Sequence, residues 1–433
     1  MREGDGGAAG RPVRVAILAA QSGPLEQAAR RVVLKAGVEL VLVLRAGDPR
    51  HFGERAQALR DARPDVVVVP LADKGGAEEL VLLAEPLRFG CAAQSPAPHV
   101  LLATGDDGAI ARATPLLAPF DVELVPDVRG DSGRIRAVTR LREMRADEGG
   151  RLRDEVLEEL AARLAAERST AVLLVDVVGS STSLVHADPA GGLLAAHVRP
   201  LGTGAAADRV VARAGLDRVR RWIPWAVDQP TLLEQVFNRA RWPGAVPTDS
   251  GSLAVEIALA HEAIGHAVSD ALAAGIGPQL RAVPLVVLTG RLAELAPAQA
   301  SLVAVDALEL PAPASIAREQ EGSVVPLASF VPVAPTRRGT VRFAWSGAPR
   351  EERVERDALY ALPLEGDVDV SGAGVTASHL VAGPVGAIVD GRVRPLSLPL
   401  RDAERVPLVA RWYASLDAVP RDPPPVAQEA TPA

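Results

Sequence analysis

The sequence predicts an α/β protein in two consecutive parts, followed by a β-rich C-terminal segment. Three observations lead to this prediction: apolar runs that alternate with helical stretches from residue 14 to about 126, an apolar hairpin at residues 171–186, and short alternating runs rich in Val, Pro and Gly after residue 324. The chain has 433 residues, of which 48% are hydrophobic, so it is long enough for two or three domains with cores of their own.

The first part alternates strands and helices, which is typical of a parallel sheet. Strand runs such as VRVAIL, VELVLVL, DVVVVP and HVLLAT are separated by predicted helices at residues 24–36, up to residue 62 and from residue 77. Because the strand runs are continuous in Val and Leu, we expect both faces of the sheet to be buried. The loops DKGG at 73–76 and GDDG at 105–108 follow strands, where such sheets place ligand-binding loops or plain turns.

The second part begins with an amphipathic helix at residues 151–168 and continues into the hairpin AVLLVDVVGSSTSLVH. Backbone N–H groups and hydroxyls in a turn of small residues can approach a phosphate, and a carboxylate at the strand end, Asp176, can hold Mg²⁺. In this turn Val178 precedes Gly179, and a β-branched residue resists the positive φ that a sharp bend requires. An ordinary buried hairpin with a Ser-rich turn is the alternative interpretation.

The composition limits the classes of function. A formal net charge of −7, with no convincing basic face, argues against a nucleic-acid partner. Cys91 is the only cysteine, which excludes a disulfide framework and suits a reducing cytoplasm. No apolar run approaches the roughly 18 residues of a membrane helix, and the acidic, Gly-rich start does not resemble a signal peptide. We therefore expect a soluble cytoplasmic protein without a membrane partner.

Three further patterns have weaker interpretations. HEAIGH at residues 261–266 approaches a zinc-binding helix motif, but five residues place its two imidazoles roughly 140° apart around a helix, so we expect no shared metal. PLGTGAAAD contains a partial Gly-rich loop at Gly202, Thr203 and Gly204, for which a loop before a capped helix is the alternative. The tryptophans at 222, 225 and 242 are expected to be packing anchors rather than a ligand cage.

The block LPLEGDVDVSGAGVTASHLVAGPVGAIVDGRVRPLSLPLRDAERVPLVARWYASL at residues 362–416 resembles the closing segment of the glutamate mutase L family. Segments that precede this block match the family in the same order: PDVVVVPLADKGG, DVVGSSTSLVH, PLGTG, RWIPW, VVLTGR and VAVDALEL. The resemblance covers most of the chain from about Pro64 onward. The family is similar to the sugar kinase, Hsp70 and actin group of two-lobed ATP-binding folds. Its members are encoded beside adenosylcobalamin-dependent mutases and are thought to act as their chaperones or reactivating factors.

The resemblance implies an actin-like ATPase-type (ribonuclease H-like) two-lobed fold with an incomplete first lobe. The implied organisation is a disordered N-terminus at 1–12, the α/β remainder of the first lobe at 13–150, a second lobe at 151–310, a β-rich C-terminal domain at 311–421 and a disordered tail at 422–433. The family's first phosphate hairpin has no match in residues 1–44, which is either a true loss or the result of a wrongly chosen start codon.

The remaining nucleotide motifs are altered. Against the family's second hairpin, DVGGATTD, Asp176, Gly179 and Thr182 match, whereas Val178 replaces a glycine and Ser183 replaces the closing aspartate. The adenosine-side motif, near GTGG, corresponds here to LTGR at 288–291, where an arginine replaces a glycine. If nucleotide binding is retained, the resemblance assigns it to Asp176, Gly179, Ser180, Ser181, Thr182, Gly202, Thr203, Gly204, Thr289 and Gly290, with Asp176 holding Mg²⁺.

Because phosphoryl transfer depends on positioned metal and backbone donors, these changes predict a protein that does not hydrolyse ATP. The functional hypothesis is a chaperone, assembly or reactivating factor that binds subunits of an adenosylcobalamin-dependent mutase. Two alternatives stay open: an active ATPase reactivase that uses ATP and Mg²⁺, and a scaffold protein unrelated to cobalamin.

Overall fold

The computed structural model describes residues 12–71, 76–91, 93–145, 153–276, 280–333, 339–345, 348–372 and 374–421. The predicted disordered termini, apart from Pro12, and residues 73–75 of the DKGG loop lie outside these ranges. The chain divides into two compact units, the first built mainly from residues up to 155 and the second from most of the remainder. Over the described ranges, no helix has the length and apolarity needed to cross a bilayer.

The first unit is a parallel sheet covered by helices. Its strands are β1 (Arg14–Ala19), β2 (Glu39–Arg45), β3 (Val66–Pro70), β4 (His99–Ala103) and β5 (Val122–Val125). Its helices are α1 (Pro24–Ala36), α2 (Phe52–Ala62), α3 (Gly76–Cys91), α4 (Asp107–Leu117) and α5 (Asp131–Arg145). The helix predicted at 24–36 is confirmed at both ends. Proline stands in its first turn, and Gly37, with φ 65°, supplies the left-handed residue that ends it.

The strand order of this sheet is β2-β1-β3-β4-β5, and all neighbours are parallel. Alternate residues of β1 point to opposite faces of the sheet and belong to different cores. Val15 and Ile17 pack with α1 and α5, whereas Ala16 and Leu18 pack with α2, α3 and α4. The predicted parallel sheet with two buried faces is therefore confirmed. Its order is that of a doubly wound fold. The assignment of this segment to a truncated actin-type lobe stays a prediction, one that the all-parallel order does not favour.

The second unit contains the other helices and strands, although α6, β8 and α10 contribute residues to both units. Its strands are β6 (Val172–Val177), β7 (Thr182–Ala187), β8 (Leu193–Val198), β9 (Leu285–Gly290), β10 (Ala314–Gln320), β11 (Ser323–Pro332), β12 (Gly339–Trp345), β13 (Ala348–Val354), β14 (Leu359–Leu362), β15 (Gly366–Gly372), β16 (Val375–Ala382) and β17 (Gly386–Asp390). Its helices are α6 (Arg153–Arg168), α7 (Ala207–Ala214), α8 (Leu216–Arg220), α9 (Gln229–Arg241), α10 (Ser250–Ala273), α11 (Arg291–Glu294), α12 (Pro297–Leu308) and α13 (Asp402–Ser415).

An eight-stranded mixed sheet carries the predicted nucleotide motifs of this unit. Its order is β14-β17-β11-β10-β9-β6-β7-β8. β6 and β7 are antiparallel, whereas β9 runs parallel to β6, and β10 runs parallel to β9. Because β9 lies directly beside β6, the ends of these two strands meet at one edge of the sheet. This neighbourhood positions the hairpin turn and the LTGR motif together.

The C-terminal strands are divided between two sheets. Strands follow one another from Ala314 to Asp390, as the composition predicts, and GTVRFAW and GDVDVSG coincide with β12 and β15. However, β10, β11, β14 and β17 belong to the eight-stranded sheet, which therefore continues across the predicted boundary at residue 310. Only β13, β12, β15 and β16 form a separate antiparallel sheet, whose apolar face shares a core with β11, β14 and β17.

Candidate functional site

The predicted hairpin is present, and its turn is regular. β6 and β7 pair as antiparallel strands on either side of residues 178–181. The Val178 N–H closes the turn by donating to the carbonyl of Ser181 over 3.0 Å. Neither Val178 nor Gly179 has a positive φ. The expectation that Val178 would resist the bend is wrong, because this turn contains no left-handed residue.

Asp176 lies near the end of β6, and its side chain is fully buried (0% exposed). The parallel register of β6 and β9 places Thr289 beside Asp176 and Gly290 beside Val177. The Thr289 hydroxyl donates a hydrogen bond of 2.7 Å to Asp176 Oδ1. The structure thus brings two of the predicted nucleotide motifs together, but it connects their side chains directly to each other.

The PLGTG loop lies against the hairpin turn. Thr203 N–H donates to the carbonyl of Val178 over 3.1 Å, and Gly204 N–H donates to that of Gly179 over 3.1 Å. Ala206 N–H donates to the same Gly179 carbonyl over 2.9 Å. Three backbone donors of this loop are therefore engaged by the turn, and these are donors that a phosphate would otherwise need.

Close backbone packing explains the glycines of this loop. A Cβ on Gly202 would lie 2.4 Å from the carbonyl oxygen of Val178, and one on Gly204 would lie 2.9 Å from the Cα of Gly179. Both distances are shorter than a carbon side chain tolerates. The Gly-x-Gly pattern at 202–204 therefore allows loop and hairpin to approach each other without any ligand between them.

The remaining predicted residues of the hairpin are also mostly buried. Thr182 is inaccessible, and its hydroxyl donates to the carbonyl of Leu201 over 2.9 Å. Ser181 is buried, whereas Ser180 is partly exposed at the tip of the turn. The hydroxyl of Thr182 therefore tethers the first residue of β7 to the start of the PLGTG loop.

A buried ion pair beneath the loop was not predicted from the sequence. Arg239 Nη2 lies 2.7 Å from Glu256 Oε2, and Arg239 Nε donates to the carbonyl of Thr203 over 2.9 Å. Burial raises the pKa of Glu256, although Arg239 and Arg291 act in the opposite direction. Burial also lowers the pKa of Arg239. For both side chains, removal from water therefore shifts the pKa more than the attraction between their charges does. In the sequence, this buried pair is indicated by Glu256, an isolated acidic residue within the apolar run LAVEIALA.

Arg291, which the resemblance aligns with a glycine of the adenosine motif, is held by protein groups. Its Nη1 lies 3.0 Å from Glu294 Oε2, and its Nη2 donates to the carbonyl of Pro243 over 3.2 Å. Pro243 in turn packs on the loop, because its carbonyl oxygen would lie 3.0 Å from a Cβ on Gly204. The arginine and the segment that follows α9 therefore connect to the same loop and hairpin.

These residues do not fit a Mg-ATP site. The predicted metal ligand Asp176 is buried and bonded to Thr289, and the loop amides are bonded to the turn. Among the described residues, no group of three or more His, Cys, Asp or Glu side chains is placed to hold a metal ion. In the described residues the arrangement is a closed polar junction, in which the Asp176 carboxylate and the loop amides are bonded to other protein groups.

The HEAIGH sequence lies within α10. His261 is buried and stacks on Trp222, with the ring centroids 4.1 Å apart and the planes 6° from parallel. The Trp222 Nε1–H donates to Glu262 over 2.7 Å, so the prediction of a packing anchor is confirmed for Trp222. For Trp242 the same prediction is wrong, because 62% of this residue is exposed.

Thr289→Val tests the junction. Valine keeps the shape of threonine, but Asp176 then loses the hydrogen bond that Thr289 donates to its buried carboxylate. We expect the free energy of unfolding to fall by about 2 kcal/mol, measured by urea denaturation. The matched control, Thr340→Val on the exposed face of β12, should change it by less than about 0.5 kcal/mol. Equal effects of the two substitutions would contradict the structural role of Thr289.

Comparison with protein-family models found no family that matches this chain, and comparison with curated proteins found no significant relative.

Proposed function

We propose that this protein is a non-hydrolysing binding protein whose second unit derives from an actin-type lobe. In this proposal it serves as a chaperone, assembly or reactivating factor for an adenosylcobalamin-dependent mutase. The partner is taken from the resemblance of residues 362–416 to the glutamate mutase L family. The geometry around Asp176 supports the loss of hydrolysis.

The strand arrangement supports descent from an actin-type lobe. In the order β8-β7-β6-β9-β10, a hairpin of β6 and β7 is followed in the sheet by two strands parallel to β6. The hairpin turn and the LTGR motif lie at the ends of neighbouring strands, where a lobe of this type would place its phosphate and adenosine motifs. These positions support the proposal, although the side chains of the motifs differ from those of the family.

The observation that carries the loss of hydrolysis is the closed junction around Asp176. A carboxylate that positions Mg²⁺ must reach the ion or its water shell. Asp176 is 0% exposed and accepts a hydrogen bond from Thr289. Opening this junction would break the Thr289 hydrogen bond and the backbone bonds from the PLGTG loop. We therefore expect nucleotide binding to be too weak to stabilise the fold.

Thermal melting with and without millimolar Mg-ATP tests this part of the proposal. A ligand at a hundred times its Kd would add about 2.7 kcal/mol to the stability, which corresponds to a rise of several degrees in Tm. We expect no significant rise. A rise of several degrees that Asp176→Ala abolishes would instead support the active ATPase reactivase that the sequence left open.

The partner is tested separately, by mixing the purified chain with subunits of the adenosylcobalamin-dependent mutase from the same organism. We expect co-elution in size-exclusion chromatography that does not change when Mg-ATP is added. Absence of any complex, under conditions in which the mutase subunits assemble with one another, would exclude the adenosylcobalamin-dependent mutase as a partner. The scaffold interpretation would then take its place.

A further inference from the structure

One face of α3, in the first unit, is exposed and largely apolar. The residues that α3 exposes between 80 and 91 are Val81, Leu82, Glu85, Arg88 and Phe89. At about 100° per residue, these positions fall within an arc of about 120° around the helix axis. Val81, Leu82 and Phe89 are 47%, 56% and 61% exposed. A surface helix normally turns such residues towards the core, so this α3 face departs from the usual pattern.

The apolar surface extends beyond α3. Phe52, at the start of α2, is 45% exposed and packs edge to face on Phe89, with the ring centroids 5.4 Å apart. A cavity of about 450 Å³ lies beside α3, and Glu85, Arg88 and Phe89 contribute to its wall. Apolar side chains that cluster on the surface of a soluble protein mark an interaction site. The α3 face therefore offers a partner exposed aromatic rings and a depression that can receive a side chain.

The two charged residues of the α3 face are available to a partner. Glu85 and Arg88 are both exposed, and neither forms an ion pair with a residue that the structure describes. Charges on a binding surface select a partner that carries the reverse arrangement, because like charges that face each other weaken the association. The partner of this face therefore needs apolar residues together with an acidic and a basic residue.

The order of residues along α3 makes this face complementary to itself. When two α3 helices pack antiparallel about a twofold axis, residues at equal distances on either side of the axis oppose each other. An axis near Pro86 places Leu82 opposite Phe89 of a second copy. The same axis places Glu85 beside Arg88 of that copy, because the two pairs have nearly the same midpoint in the sequence. Apolar residues then meet apolar residues, and the carboxylates and guanidinium groups at the centre balance each other.

We propose that the α3 face is the interface of a symmetric homodimer, in which two copies of the chain pack antiparallel through α3. A second copy is the partner that fits, because one surface supplies both members of each contact pair. The dimer involves neither the hairpin turn nor a mutase. The inference therefore goes beyond the proposed function and stands independently of it.

The first test is the mass of the purified full chain in solution, measured by size-exclusion chromatography with light scattering, without Mg-ATP or mutase. One chain has a mass of 45.1 kDa. We expect the measured mass to rise towards twice that value as the protein concentration increases from low to high micromolar. The mass of one chain at every concentration would overturn the proposal and leave the α3 face to a different partner.

Leu82→Ser is the variant that locates the interface, and Ile135→Ser is its matched control. Ile135 is 64% exposed on α5, which packs on the opposite face of the sheet from α3. Each substitution replaces an exposed apolar side chain on a helix of the same unit, so both variants should melt like the wild type. We expect the dissociation constant of the dimer to rise roughly tenfold or more in Leu82→Ser and to stay unchanged in Ile135→Ser.

Charge exchange tests the contact between Glu85 of one copy and Arg88 of the other. Glu85→Arg leaves only positive charges at the centre of the interface, and Arg88→Glu leaves only negative ones, so we expect each variant alone to lose the dimer. A mixture of the two variants pairs positive residues of one copy with negative residues of the other, and it should restore a dimer. Restoration on mixing cannot arise within one chain, because mixing changes neither sequence.

Two further results would overturn the proposal. The first is a dimer that Leu82→Ser leaves intact or that Leu82→Ser and Ile135→Ser weaken equally, which would place the interface elsewhere. The second is a failure of the mixed charge variants to associate, which would exclude the antiparallel contact of Glu85 with Arg88. None of these measurements includes a mutase, so failure here is separable from failure of the proposed function.

Discussion

We expect Arg392→Met to lower the free energy of unfolding of the second unit by about 3–5 kcal/mol. Methionine fills much of the same space, but Asp306 and Asp390 then share the single remaining guanidinium of Arg394. Both carboxylates are 2% exposed at the side chain, so water cannot replace the lost donors. The measurement is urea denaturation followed by tryptophan fluorescence, which reports on this unit.

The matched control is Arg342→Met on β12. Its ion pair with Glu351 has side chains 69% and 57% exposed, so we expect a change below about 1 kcal/mol. The penalty in Arg392→Met should also shrink between about pH 7 and about pH 4, because a carboxylate without its cation takes up a proton more readily. In the wild-type protein the pKa of Asp390 is lowered, so its contribution is lost only at more acidic pH. Similar, pH-independent effects of the two variants would contradict this account.

We expect Gly290→Ala to destabilise the second unit by about 3 kcal/mol or more. Gly290 has φ 61° and ψ −138°, a conformation that alanine adopts only under strain. A Cβ there would also lie 2.4 Å from the carbonyl oxygen of Val177 and 2.8 Å from Asp176 Oδ1. The loss should be the same with and without Mg-ATP, because the glycine is needed for packing against β6.

Gly265→Ala is the control for this substitution. Gly265 lies within α10, and no atom lies within 4 Å of the Cβ that alanine would add. Replacing a glycine in a helix interior by alanine should raise the stability by about 0.5–1 kcal/mol. The two glycine substitutions therefore have opposite expected signs in the same denaturation experiment. A neutral result for Gly290→Ala would show that the approach of β9 to β6 is looser than described.

The local elements were readily predicted from the sequence, because each depends on neighbouring residues. The parallel sheet of the first unit follows from its continuous Val and Leu runs, and α1 follows from Pro24 and Gly37. The hairpin at residues 171–186 follows from two apolar runs around a turn of small residues. The position of Asp176 near the end of its strand was part of the same pattern.

The pairing of distant segments could not be predicted in the same way. Nothing in the local pattern of LTGR indicates that Thr289 would bond to Asp176, because their register depends on how β9 inserts beside β6. The resemblance assigned Gly202 and Gly204 to the same nucleotide site as the hairpin, and in the structure their loop packs on the hairpin turn. A ligand-binding loop and a packing loop can have the same composition. Val178 was misjudged because the backbone conformation of a turn depends on more than its residue types.

β17 comes last in the sequence among the strands of the eight-stranded sheet, but it does not lie at an edge of that sheet. β17 lies between β14 and β11, and it pairs parallel with β11 and antiparallel with β14. While the chain is being synthesised, β11 therefore has one open edge until residues 386–390 have left the ribosome. Open strand edges recruit other chains, so this interval exposes the nascent protein to aggregation. A nonsense mutation anywhere before β17 would therefore remove more than a tail, because the large sheet could not be completed.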